Sequence, residues 1–334
     1  TSTIKKSKQK NHFFTKFVKN FENPINNSES TLSITTQDVS NDKYFKLYKI
    51  NSELVNDNID TLQNTLSFTQ SNDETFFGIN LSMYETLKNG YVDKYEYILP
   101  ELIFNKNLLS SSTFGSLDLE SNLKVRNYDT NKTSKFFVNN FDWNSINKSL
   151  NSGIQMQFLS KIKNINYETK NIEEFKNDTT NEVFGALGLL TKFDLYKKIE
   201  NISEHFLSPK LLVRFAPGEM RKEKSNSKLN PTKAFNLNRL NNNNNFETGL
   251  SATVGFDYEI KNKDKKIDIS IGQIINQKEN KNMPSAMGLD EKVSDLVGTS
   301  EYKINDNLSL NYNFAVDQNY SELNYNEISA VTNF

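Results

Sequence analysis

The 334-residue chain has no cysteine, two histidines, one tryptophan and six prolines. Without cysteine there is no disulfide, no thiolate chemistry and no Cys-based metal site. His12 and His205 fit no metal-ligand spacing. Neither sign of charge dominates: 40 Lys+Arg stand against 41 Asp+Glu, a net charge of -1. No global basic field therefore points to a nucleic-acid partner. No apolar run is long enough for a transmembrane helix. Mean hydropathy is -0.66, low for a large soluble core. That value does not exclude a membrane barrel, where only every second residue of a strand faces lipid. The chain opens at Thr1 with no methionine and no signal peptide, which reads as truncation rather than as a cytoplasmic address.

What is present is a period of two. Leu250, Ala252, Val254, Phe256, Tyr258 and Ile260 alternate with Ser251, Thr253, Gly255, Asp257 and Glu259. Leu117, Leu119, Leu123 and Val125 alternate with Asp118, Glu120, Asn122, Lys124 and Arg126. A strand does this when one face meets an apolar phase and the other meets water. About fourteen such segments can be read, mostly near the roughly ten residues that a tilted membrane strand needs. The joints alternate too. Lys261 to Lys266 and Asn305 to Asn307 are short and polar, whereas Ala216 to Asn245 and Gln277 to Lys292 are long and broken by Pro217, Pro231 and Pro284. Short turns at one end and long loops at the other suit an outer-membrane barrel. The run Asn241 to Asn245 reads as low-complexity loop. Lys43 to Leu54 has room for a short amphipathic helix, more simply a loop helix or turn.

A soluble antiparallel sheet also alternates. Long strands with mid-strand charges, and no segment to supply the other half of a sandwich, favour the membrane. The expected fold is all-β, an antiparallel transmembrane barrel.

Ordered motifs narrow this. From Phe206 to Asn276 the chain reads LSPKLLVRFAP, a long loop, LNRLNNNNNFETGLSATVGFDY, then ISIGQII. This order resembles the barrel of the lipopolysaccharide-assembly (LptD/OstA) family. Pro209 and Pro217 match its strand prolines, Leu237 and Arg239 its leucine-x-arginine segment, Gly249 its strand glycine, and Ser270, Gly272 and Gln273 its serine-x-glycine-glutamine strand. Upstream, Val39 to Asp42 with Tyr44 and Phe45, and Tyr95 to Leu102 with Pro100, resemble two more family signatures. The resemblance implies an outer-membrane translocon of Gram-negative cells that assembles lipopolysaccharide into the outer leaflet. It also implies a plug lipoprotein (LptE-like), a periplasmic bridge protein reached through an N-terminal jelly-roll domain, insertion by the barrel-assembly machinery, and contact with outer-membrane lipid. The whole chain, 1–334, then reads as part of one barrel domain, with the jelly-roll and the terminal gate strands outside it. Phe334 resembles a terminal assembly signal but reads as coincidence. A porin-like channel and a soluble β-rich surface protein are the alternatives.

Each notable residue has a plainer reading. Gly272 and Gln273 are a lumen site, or a glycine kink that shapes the wall; the kink is simpler. Pro100, Pro209 and Pro217 read as strand starts and ends. Lys124, Arg126, Lys161, Lys163, Lys210 and Arg214 suit lipopolysaccharide phosphates, or pair with Asp118, Glu120 or Asp257 across strands; the pairing is simpler. Trp143 with Phe136, Phe137 and Phe141 reads equally as an interface girdle or as sheet packing. The two histidines lack a triad context and Glu173-Glu174 lacks a partner, so no catalytic set, cofactor or metal is expected.

Overall fold

A computed structural model describes residues 11–23, 27–52, 54–56, 58–88, 93–129, 131–200, 202–225, 228–262 and 265–332; Phe334 lies outside them. The strands are β1 (His12–Asn23), β2 (Ser28–Val39), β3 (Thr61–Ser71), β4 (Thr75–Thr86), β5 (Tyr95–Ser111), β6 (Gly115–Tyr128), β7 (Lys132–Asn144), β8 (Lys148–Ser149) and β9 (Ile154–Lys170). They continue as β10 (Thr180–Phe193), β11 (Leu195–Ile199), β12 (Ser203–Ala216), β13 (Gly249–Asn262), β14 (Lys265–Asn276), β15 (Leu296–Asn305), β16 (Leu308–Val316) and β17 (Leu323–Thr332). The two short helices are α1 (Tyr44–Tyr48) and α2 (Pro231–Ala234). All seventeen strands belong to one sheet. The count exceeds the expected fourteen partly because β7 and β8 share the partner β9, and β10 and β11 share β12, so two long strands are each interrupted once. No helix among the described residues is long and apolar enough to cross a membrane.

The chain divides into two compact units, one of Thr1–Asn107, Asp118–Asn139 and Asn164–Glu182, the other of Leu108–Leu117, Asn140–Lys163 and Val183–Phe334. In the first, β1 to β5 form an antiparallel meander. Helix α1, shorter than the segment read from sequence, sits in the connection after β2. Its Phe45 packs with Val55, Leu62 and Leu87 over Phe14 and Val39. In the second, β12 to β17 form another meander.

Along the chain, connections alternate in length. β3 ends at Ser71 and β4 begins at Thr75; β13 ends at Asn262 and β14 begins at Lys265; β15 ends at Asn305 and β16 begins at Leu308. The intervening connections include the long spans from Val39 to Thr61, Ala216 to Gly249 and Asn276 to Leu296, while Tyr128 to Lys132 is a short exception.

The register separates two faces. On β12, Leu211, Val213 and Phe215 are exposed, whereas Leu212, Arg214 and Ala216 are each 1% exposed. Leu211, Val213 and Phe215 lie opposite Val254, Ala252 and Leu250 of β13. Phe256, Tyr258 and Ile260 continue that row opposite Ile271, Ile269 and Ile267 of β14. Among the described residues no loop or helix covers Leu211, Val213, Phe215 and Val254, which is how a strand presents itself to hydrocarbon. Exposed aliphatic and aromatic side chains at this density are unfavourable in water, at roughly 25 cal/mol per Å².

Candidate functional site: the polar wall and its covering loops

The polar face of the second unit is a wall of Lys163 from β9, Gly188 from β10, Lys210, Leu212 and Arg214 from β12, Ser251, Thr253 and Asp257 from β13, and Ser270, Gly272 and Ile274 from β14. Residues 217–225, 228–248 and 277–295 fold over it. Met220, Leu229, Ala234, Leu240, Met283 and Leu289 from these loops form one cluster with Ile274, Val297 and Ala315 of the wall. Leu237 and Phe246 form a second with Ala186 and Ala216, against Leu159 and Phe184. The loop read from sequence as spanning Ala216 to Asn245 thus begins after Ala216, the last residue of β12, and continues to Thr248.

Polar contacts lock the first loop down. The guanidinium of Arg214 donates to the carbonyls of Leu237 (2.6 Å), Gly249 (3.3 Å) and Glu247. Arg239 donates through Nε to Glu247 Oε2 (2.8 Å) and through Nη2 to Glu247 Oε1 and Ser251 Oγ. Arg214 Nη1 lies 3.7 Å from the same carboxylate. All three side chains are almost fully buried. Burial pushes the Glu247 carboxyl up, but the two guanidiniums and the hydrogen bonds from Arg239 outweigh it and hold it below the ordinary glutamate value. Lys163 donates to the Asn243 carbonyl and side chain, each at 2.9 Å. Asn245 donates to Glu223 Oε2 at 3.2 Å. The asparagine run is loop, as read from sequence, and these contacts make it part of the cover.

Gly272 lies directly under α2, at a distance where a Cβ would make ordinary contact. A Cβ there would stand 3.4 Å from Ala234 Cβ and 3.4 Å from the Phe235 ring. Thr253 Oγ1 donates to the Ala234 carbonyl at 2.9 Å, and Asn230 caps α2 through its side chain. Gly255, opposite Gly272, has no room for a Cβ at all, since Ile271 O would be 2.0 Å away. Gly249 opens β13 at φ +118°, a conformation that favours glycine. Beneath α2, Lys210 pairs with Asp257 (2.6 Å) and lies over the Phe235 ring, and Ser270 donates to Asp257 (2.7 Å).

Gln273 departs from its motif neighbours. It lies opposite Val254, on the apolar side, yet is 7% exposed. Its amide donates to the Ser294 carbonyl and its oxygen accepts from Tyr320.

The remaining sequence-derived positions are distributed as follows. Lys124 and Arg126, in the first unit, pair with Glu101 (3.0 Å) and Glu96 (2.6 Å) rather than with Asp118 or Glu120. A register shift in the β4–β5 ladder, opposite Asn80 to Ser82, lets both glutamates reach the same face although their numbers differ in parity. Lys161 pairs with Asp142. Pro100 and Pro209 lie inside strands and are not strand ends; only Pro217 follows one. Pro209 has no N–H to give. It sits where the ladder passes from β10 (Lys192 opposite Lys210) to β11 (Leu195 opposite Leu207), and Ser208 Oγ donates to Asp194 in that gap. Phe136 is buried with Tyr167 and Phe175, so it is separate from exposed Phe137 and Phe141.

Sequence reasoning missed Glu247. The signal available was that it is the sole carboxylate between Glu223 and Asp257 in a stretch that holds Lys228, Lys233 and Arg239.

The family model described as LptD, LPS transport system D, matches residues 17–333. No curated protein sequence matches the chain. That match covers nearly the whole chain, including the two-faced sheet and its covering loops: the chain belongs to the LptD family, outer-membrane proteins of lipopolysaccharide transport.

Proposed function

We propose that this chain is part of the wall of a larger barrel that inserts lipopolysaccharide into the outer leaflet of the outer membrane. The observation that carries the reading is the division of the sheet into an uncovered apolar face and a polar face of paired charges. Such a wall keeps acyl chains and sugars in separate phases. The polar face offers Lys210, Lys161, Lys124 and Arg126 to phosphates and sugar hydroxyls, each already held by a carboxylate. Exchange of one partner for another costs less than burying an isolated charge, which suits passage rather than tight retention. Lipid A would leave sideways, between terminal strands outside this chain. The plug lipoprotein, the periplasmic bridge reached through a preceding jelly-roll domain, and the barrel-assembly machinery complete the proposed set of partners.

The docked loops oppose a permanently open passive pore in the second unit. Depletion of the protein in cells should lower the fraction of newly made lipopolysaccharide that reaches the cell surface. Unchanged surface delivery, with altered uptake of small solutes instead, would favour a porin.

A further inference from the structure

The apolar face of the second unit ends in a basic trough. Its volume is about 350 Å³. Leu195, Ile199 and Leu207 form apolar walls, and Lys197, His205 and Tyr258 supply the polar groups. The ladders set these residues side by side: Lys197 lies opposite His205, His205 opposite Ile260, and Leu207 opposite Tyr258. The His205 ring is held at both nitrogens, by Ser203 Oγ at 2.8 Å and by the Tyr258 hydroxyl at 2.7 Å. It thereby fixes the phenol at the polar end of the trough.

Charge is sorted between the two faces of β11 to β14. Glu204, Asp257, Glu259 and Asp268 all lie on the polar side, paired with Lys198, Lys210, Lys261 and Lys266. The apolar side carries no carboxylate in these strands. Its two lysines, Lys197 and Lys265, have no ion-pair partner among the described residues. Both stand at the end of the strands where the short turns lie, the end that faces the periplasm in an outer-membrane barrel. Of the carboxylates nearest Lys197 in sequence, Asp194 pairs with Lys192 and Glu200 lies in the turn beyond β11; Asp264, next to Lys265, lies outside the described residues.

We infer that this trough binds an anionic phospholipid of the inner leaflet, with an acyl chain against Leu195, Ile199 and Leu207 and its phosphate at Lys197, beside Tyr258 and His205. An apolar face with no carboxylate in its strands, and with Lys197 and Lys265 unpaired among the described residues at its rim, is complementary to a lipid that ends in a negative headgroup. A neutral lipid would leave both lysines without a counter-charge. The inference rests on the apolar face meeting lipid and not on the transport reading, so either can fail alone.

The test is native mass spectrometry of the full-length protein in detergent, with phosphatidylglycerol or phosphatidylcholine added in equal amounts. Wild type should retain phosphatidylglycerol preferentially. Lys197→Gln should weaken that retention about fivefold, with a similar further loss on adding Lys265→Gln. Lys197→Arg should retain it, and phosphatidylcholine adducts should not change in any variant. Equal retention of the two lipids by wild type, or undiminished phosphatidylglycerol retention in the double variant, would overturn the inference. So would displacement of the lipid by inorganic phosphate at millimolar concentration, which would assign the lysines to a free anion.

Discussion

Glu247→Leu isolates the contribution of the buried ion triad to loop docking. The substitution leaves Arg239 and Arg214, each 1% exposed, without a carboxylate. Breaking a buried pair by removing one partner costs about 3–5 kcal/mol. Arg214 keeps its three carbonyl acceptors, so most of the loss falls on Arg239, which keeps only Ser251. The lower end of the range, about 3 kcal/mol, is therefore expected, and it raises the population of the undocked loop about a hundredfold. Trypsin sites at Lys222, Lys224 and Arg239 report that population directly when reclosing outpaces cleavage. Cleavage between β12 and β13 in the folded protein should accelerate about a hundredfold relative to wild type. The double variant Arg239→Met/Glu247→Leu should recover much of the protection, since the uncompensated charge is gone. A change below about threefold in the single variant, or a double variant no better than the single, would refute the triad as the lock.

Three further outcomes are expected. The folded Glu247 value lies below the ordinary 4.5, so its stabilisation is complete above about pH 4.5 and is lost as pH falls through the depressed value; protease protection of the loop should be flat from about pH 8 to pH 5 and decline only in stronger acid. Val254→Arg places a cation on the apolar face and should cost about 2–4 kcal/mol near the membrane midplane, read by denaturant unfolding from lipid bilayers, whereas an unchanged midpoint would remove Val254 from the hydrocarbon. Gly255→Ala should destabilise the sheet far more than Gly272→Ala, because the first Cβ meets a carbonyl at 2.0 Å and the second meets side chains at 3.4 Å; thermal unfolding of the two variants measures the difference.

The strands were legible because each carries its own signal. Leu250 to Ile260 alternates, and its even members do lie together on the uncovered face. The interruptions were not legible, because Pro209 breaks only the ladder toward β10 and β11 while β13 still pairs with it. The bulge opposite Asn80 to Ser82 likewise defeats parity counting, since Glu96 and Glu101 look opposed in sequence and share a face in the fold. The covering loops were hidden for a different reason. Arg239 and Glu247 meet only after the loop has folded back, and no periodic pattern records a contact made by loop geometry. Gly272 was visible as a motif glycine, but its use as the seat of α2 depended on knowing where Ala234 and Phe235 would come to rest.

The two-faced wall is tested most directly by scanning spin labels one residue at a time from Leu250 to Ile260, in the protein reconstituted into lipid bilayers. Labels at Leu250, Ala252, Val254, Phe256 and Tyr258 should be reached by oxygen dissolved in the lipid and shielded from a water-soluble quencher. Labels at Ser251, Thr253 and Asp257 should lose that oxygen access, so the two signals alternate with a period of two. Uniform access of the water-soluble quencher along the whole strand, with no alternation in oxygen access, would contradict a membrane wall and place this sheet in water.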